Sequence, residues 1–193
     1  MLKRPSKRTP RIKYPEIGVC GLSCVLCPLY QTEAKSRCGG CKSEGRIAVG
    51  CAFITCAVKR KGIEFCWDCE EGGTCERWQK HREFGKRHDS FKCYQKLEND
   101  IFLVQQSGIA KLRRLQQKKE KLLREMLQHF NEGRSKSYYC LAATVLEIEE
   151  VKDALTKAKR QSASLGIRDK SAVLHSMLDG IATQKSYLLK LRK

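Results

Sequence analysis

Ten cysteines between residues 20 and 75 limit what this chain can fold into more than any other feature of it. They are Cys20, Cys24, Cys27, Cys38, Cys41, Cys51, Cys56, Cys66, Cys69 and Cys75, spaced C-x3-C-x2-C-x10-C-x2-C-x9-C-x4-C-x9-C-x2-C-x5-C. Three chemistries use such a pattern: disulfides, zinc and iron–sulfur. Structural disulfides belong to oxidising compartments, and the basic opening stretch before Cys20 lacks the apolar core of a secretory signal. The C-x2-C pairs 24/27, 38/41 and 66/69 suit two thiolates turning onto one metal ion. All ten cysteines are therefore candidate metal ligands.

A metal also accounts for how this segment holds a fold. Residues 14–75 have few large apolar side chains for their length, and a small core rarely offsets the ordering entropy of some sixty residues. A structural zinc site contributes about 10–16 kcal/mol, available only in the folded form. The expectation is a segment that is unfolded or nearly so without metal. Cys38-Gly39-Gly40-Cys41-Lys42 reads as a zinc knuckle, with glycines for the tight turn. Counting the pairs 24/27, 38/41, 51/56 and 66/69 gives two four-cysteine sites, so about two zinc ions. The alternative is an iron–sulfur cluster, because Cys20-x3-Cys24-x2-Cys27 has the spacing of radical-SAM enzymes and Pro28 follows as in ferredoxin loops. Leu26 stands where those enzymes carry an aromatic, and no βα barrel follows, so zinc is the preferred reading.

The order Cys20-Gly-Leu-Ser-Cys24-x-x-Cys27-Pro28, Cys38-Gly-Gly-Cys41, Lys61-Gly62-Ile63-Glu64-Phe65-Cys66-x-x-Cys69 and Cys75 resembles an uncharacterised prokaryotic family of cysteine-rich domains of unknown function. The resemblance covers roughly residues 16–90 and implies metal binding through the matching cysteines. The family commonly places an aromatic and a proline before its last cysteine; here the stretch is Gly72-Gly73-Thr74.

Charge divides the chain of 193 residues, whose formal net charge is +18. Residues 1–13 carry six Lys or Arg and no acid, the pattern of a disordered basic arm. Residues 14–75 hold seven of each sign, and ligated thiolates would make that stretch acidic. The remainder is strongly basic and helical in pattern. The expected organisation is a basic arm (1–13), a cysteine-rich metal-binding domain (14–90) and a helical bundle (91–193). As a fold class this is a small irregular metal-stapled module followed by an all-α bundle.

In the second half, helices are predicted from just after Cys75 to about Arg87 and from about Phe91 to Gln106, with Gly108 as a break. The spacing over Ile109–Phe130 gives the clearest amphipathic helix. Lys119 falls on its apolar arc and is expected to snorkel outward. The run Tyr138–Leu146, apolar almost all round, reads as a central buried helix continuing to about Arg160. Asp169 or Ser171 is expected to cap a last helix with the stripe Val173, Leu174, Met177, Leu178, Ile181 and Leu188.

Other residues are weaker candidates. His81 and His88 sit in a dense cationic stretch and read as exposed rather than ligating. Cys140, within the apolar run, and Cys93 read as small buried hydrophobes. Gly133-Arg-Ser-Lys-Ser137 reads as an interhelix loop with Ser135 or Ser137 as N-cap, in preference to an anion site. No serine–histidine–acid pattern, P-loop or dinucleotide fingerprint is evident, so the balance tips away from an enzyme. No apolar run reaches membrane length, and the expected location is cytoplasmic. The basic helices and arm point to a nucleic-acid or protein partner.

Overall fold

The computed structural model describes residues 11–87 and 94–190. Most of the predicted basic arm, His88, Cys93 and the expected boundary near residue 90 lie outside the described residues.

The cysteine-rich part is irregular. Two single 3₁₀ turns hold Cys24–Leu26 and Cys66–Asp68. Helix α1 spans Glu44–Val49, and α2 spans Ala52–Ile54 and runs directly into a π-helical stretch, Thr55–Lys61, that ends on left-handed Gly62. Among the described residues there is no strand, only an isolated antiparallel bridge between Ile17 and Ser23. Then come α3 (Glu76–Arg87), α4 (Leu97–Ser107), α5 (Ile109–Phe130), α6 (Lys136–Val145), α7 (Ile148–Gln161) and α8 (Ile167–Gln184). The fold is thus a small irregular cysteine-rich region followed by an all-helical part.

Helix α5 has the predicted bounds and buries Leu112, Leu123, Met126 and Phe130. Lys119 does not snorkel. It is 6% exposed, and its Nζ donates to the Thr144 carbonyl (2.7 Å) and the Leu146 carbonyl (2.9 Å). These carbonyls lie at the C-terminal end of α6, where no further turn exists to satisfy them. The expected continuous helix from Tyr138 to Arg160 is accordingly two. Leu146 turns extended, and Glu147 opens α7 through a capping box with Glu150.

Helix α4 begins at Leu97 rather than near Phe91. Tyr94 is drawn off the helical path, with its ring 4.5 Å from that of His81 and its hydroxyl 3.3 Å from Cys20 Sγ. Helix α8 starts after Gly166, earlier than predicted, with Asp169 in its first turn. Ser171 is not a cap: it is 4% exposed and faces Glu132 and Tyr139. Leu188 lies beyond the helix and is 52% exposed, so it leaves the predicted stripe.

The apolar side chains form three clusters. The largest joins α5, α6, α7 and α8 through Leu123, Met126, Phe130, Tyr139, Leu155, Leu174 and Leu178, and it includes Val25 and Leu26 of the cysteine-rich region. A second unites Val19, Ile54 and Val58 with Trp78, Leu97 and Ile101. The third is Ile17, Phe65 and Leu112. The few apolar residues of the cysteine-rich stretch are thus supplemented from the helices that follow it. Gly21 marks one tight junction: its φ is +84°, and a Cβ there would collide with Leu97.

Candidate metal centre

Local geometry places the ten cysteines unequally. Cys24, Cys27 and Cys66 are buried, Cys51 is exposed, and the other six are half-buried. All carry free thiols.

The first group comes from two turns. The 3₁₀ turn after Ser23 presents Cys24 and Cys27, and Leu26, between them, anchors the turn in the bundle core. The Cys38-Gly39-Gly40-Cys41 turn faces it. Gly40 has φ +98°, and its α-carbon lies so close to the chain that a Cβ would stand 3.3 Å from the Pro15 carbonyl and 4.0 Å from Cys24 Sγ. That turn lets the Cys41 backbone N–H donate to Cys24 Sγ at 3.3 Å. Cys24, Cys27, Cys38 and Cys41 line a single cavity of about 570 Å³. The Cys24 thiol is raised above the ordinary thiol range by its hydrogen bond with the Cys41 side chain and by burial.

The second group surrounds Cys66. Burial pushes that thiol up to about 12, and the thiols of Cys20, Cys56, Cys75 and Cys69 add to the effect in that order. Cys20 lies beside Cys66, whose N–H donates to the Val19 carbonyl at 3.0 Å, and it also shares a cavity with Cys41, so it stands between the two groups. Lys61 Nζ lies 3.3 Å from Cys69 Sγ and also pairs with Glu71 at 2.7 Å.

Cys51, paired with Cys56 in the sequence pattern, is exposed and is not among the thiols that act on Cys66. It sits at the N-terminus of α2, where its sulfur accepts the Ile54 N–H at 3.5 Å. It borders a smaller cavity of about 260 Å³ shared with Cys20, Cys41 and His81. His81 is not an exposed side chain: its ring stacks on Trp78 and packs against Phe53 and Tyr94, with Nε2 3.2 Å from the Cys20 carbonyl. Cys140 is buried as expected, and burial raises its thiol to about 12.

Among the described residues, no three His, Cys, Asp or Glu side chains converge closely enough to hold one ion as they stand. What fits a metal is the donor chemistry. Four thiols on one cavity, with an N–H already given to a sulfur, are the donors a soft cation takes. With the Cys24 and Cys66 thiols held protonated, an ion entering either group displaces protons.

Two features escaped the sequence reading. Lys42, directly after the knuckle, has a fully buried side chain 3.6 Å above the Phe65 ring, and its Nζ pairs with Glu64 at 3.0 Å. Burial pulls its ammonium below the ordinary lysine range, against the opposing pull of Glu64. The second is a polar network at the far end of the bundle. Ser135 Oγ donates to Glu132 at 2.6 Å and meets His175 Nε2 at 2.8 Å, and Ser171 bridges Glu132 and Tyr139. The i, i+4 spacing of Ser171 and His175 was the available signal.

No curated protein and no solved structure matches the chain. Residues 16–80, which carry all ten clustered cysteines, match the family described as "Protein of unknown function (DUF3795)"; the match lies on the cysteine module and leaves helices α4 to α8 outside it.

Proposed function

We propose that this protein is a metal-binding interaction module, with about two structural zinc ions held by the cysteines and a basic helical bundle that engages nucleic acid or a protein partner. The observation that carries the reading is the common cavity lined by Cys24, Cys27, Cys38 and Cys41. These four are the ligands of the first ion. The second ion draws its ligands from Cys20, Cys56, Cys66, Cys69 and Cys75. An all-thiolate set closes the coordination sphere, which suits a structural ion rather than a catalytic one with an open position.

The alternative is an iron–sulfur protein in electron transfer or redox sensing. Its main support is the C-x3-C-x2-C spacing of Cys20, Cys24 and Cys27. The test is anaerobic purification followed by a visible spectrum and metal analysis of the same sample. A colourless protein with about two zinc per chain is expected. Broad absorbance near 400 nm with stoichiometric iron and sulfide overturns zinc in favour of a cluster.

A further inference from the structure

We propose that the cleft between the cysteine module and α5 binds a single strand of nucleic acid, with Tyr30 as its stacking platform and Arg37, Arg124 and Lys136 as its phosphate contacts. This deepens the partner reading above and rests on it.

The cleft has two parts with Tyr30 as their common border. One is a cavity of about 600 Å³ between the loop at residues 30–37 and the C-terminal half of α5, bordered by Arg37, Arg124 and Lys136 and by one acid, Glu33. The other, of about 320 Å³, runs toward the start of α5 past Arg113, Gln116 and Gln117. Tyr30 borders both. The α5 wall from Arg113 to Gln128 is about 22 Å long at 1.5 Å rise per residue, room for a few nucleotides.

Three observations favour a strand. First, cations outnumber acids in the larger cavity; in the smaller one Glu16 pairs with Arg113 and Glu120 with Arg124, so a phosphate that reaches Arg124 displaces Glu120 from it. Second, the Arg37 guanidinium lies 4.9 Å over one face of the Tyr30 ring, and an unpaired base settles on that guanidinium plane, or on the ring once Arg37 turns to a phosphate. Third, Gln116 is 3% exposed, borders the smaller cavity, and makes no hydrogen bond through either atom of its carboxamide. A buried amide left unpartnered is unfavourable; turned into the cavity it borders, it meets the matching donor and acceptor of a base edge. A duplex keeps its base faces stacked and has no use for the platform. An acidic peptide would meet the cations but not the stack or the amide.

The test is fluorescence anisotropy on the full chain as purified, with three labelled probes: a twelve-nucleotide single strand, the corresponding duplex and a polyglutamate peptide. The strand should bind best, and three phosphate contacts give a slope of log K against log salt of about −2. Replacing Arg37, Arg124 and Lys136 together by alanine should weaken strand binding about tenfold or more. The same charge removed from exposed positions on α7 and α8, by Lys157→Ala, Arg160→Ala and Arg168→Ala, should change it less than threefold. Tyr30→Leu should weaken the strand and leave any peptide binding unchanged. Absence of strand binding, equal affinity for duplex or peptide, or equal losses from the two triple variants overturns the proposal. The salt slope of the unsubstituted protein tests it without any variant. Metal content of the same samples separates the two readings: metal-free protein that binds the strand at these residues removes the metal centre and leaves the cleft, and metal-loaded protein without strand binding does the reverse.

Discussion

The Lys119 ammonium donates to the Leu146 carbonyl at 2.9 Å, from inside the bundle rather than from its surface. A cation at the C-terminal end of a helix meets the negative end of its dipole. The same group satisfies Thr144, so a single side chain closes α6 and permits the turn into α7. Lys119→Met keeps the apolar stem but strands two carbonyls. Each buried, unsatisfied acceptor costs about 1–3 kcal/mol. Urea unfolding should show a loss of about 2–4 kcal/mol, and a loss under 0.5 would mean that water takes over the ammonium's role.

Gly40 and Gly45 provide a paired test of the knuckle. At φ +98°, an alanine at position 40 is strained and also crowds Pro15. Gly40→Ala should destabilise the protein by about 1–2 kcal/mol and lower its metal content. Gly45 stands in α1 with open space around it. Gly45→Ala should be neutral or stabilise by up to about 1 kcal/mol, with metal unchanged. Equal metal content in both variants would detach the knuckle from metal binding.

Asp100 costs the fold stability once its carboxyl ionises, above about pH 6. Burial raises its carboxyl to about 6, with Lys119 and Lys96 opposing the shift. The folded chain therefore takes up this proton at higher pH than the unfolded chain, whose aspartate titrates near 3.9. Stability falls as pH rises through this window. Asp100→Asn removes the penalty and should stabilise at pH 8 by on the order of 2 kcal/mol, with little effect at pH 4. Denaturant midpoints at the two pH values check it; a destabilised Asp100→Asn at pH 8 would reveal a favourable bond made by the carboxylate.

His175 carries the opposite sign. Burial lowers its imidazole below the ordinary value, although Asp179 and Glu132 pull the other way. Its contribution is intact above the unfolded value near 6.5 and declines as pH falls through that value toward the lower folded one. His175→Phe retains a ring on Tyr138, which His175 stacks at 3.8 Å. The variant should lose less stability than the parent between pH 7.5 and pH 5. An identical pH dependence in the two proteins would show that the imidazole titrates normally.

Trp67 and Trp78, the chain's two tryptophans, both lie on the apolar cluster of the cysteine-rich region. Their emission is therefore a local reporter. Treatment with a strong chelator under reducing conditions should shift it to the red as that region loosens. Unchanged emission with all metal removed would mean that the borrowed apolar contacts suffice to hold the segment.

What the sequence made legible follows from how local each determinant is. The bounds of α5 were readable because Leu112, Leu123, Met126 and Phe130 repeat at helical spacing and Gly108 precedes them. The break between α6 and α7 was not, because Tyr138–Leu146 contains no glycine or proline. That break depends on Lys119 of another helix and on a Glu147–Glu150 box, in which glutamate fills a position more often held by serine, threonine or aspartate. The candidate ligands were legible as a set but not as groups. Nearness in sequence pairs Cys51 with Cys56, but it does not show that the Cys51 sulfur also caps α2 by accepting the Ile54 N–H. Likewise Cys20, only four residues from Cys24, is carried toward Cys66, whose N–H bonds the neighbouring Val19 carbonyl at 3.0 Å.

Val25 and Leu26 sit among the bundle's own core residues, within the same short turn that presents Cys24 and Cys27. A bundle expressed without the first half of the chain would keep its helices' sequences but open a hole where those two side chains had been, exposing apolar surface to water. Such a fragment should be sticky and short-lived. The cysteine turn is a cornerstone of the second half's architecture, and any partner that displaced it would be felt across the helices.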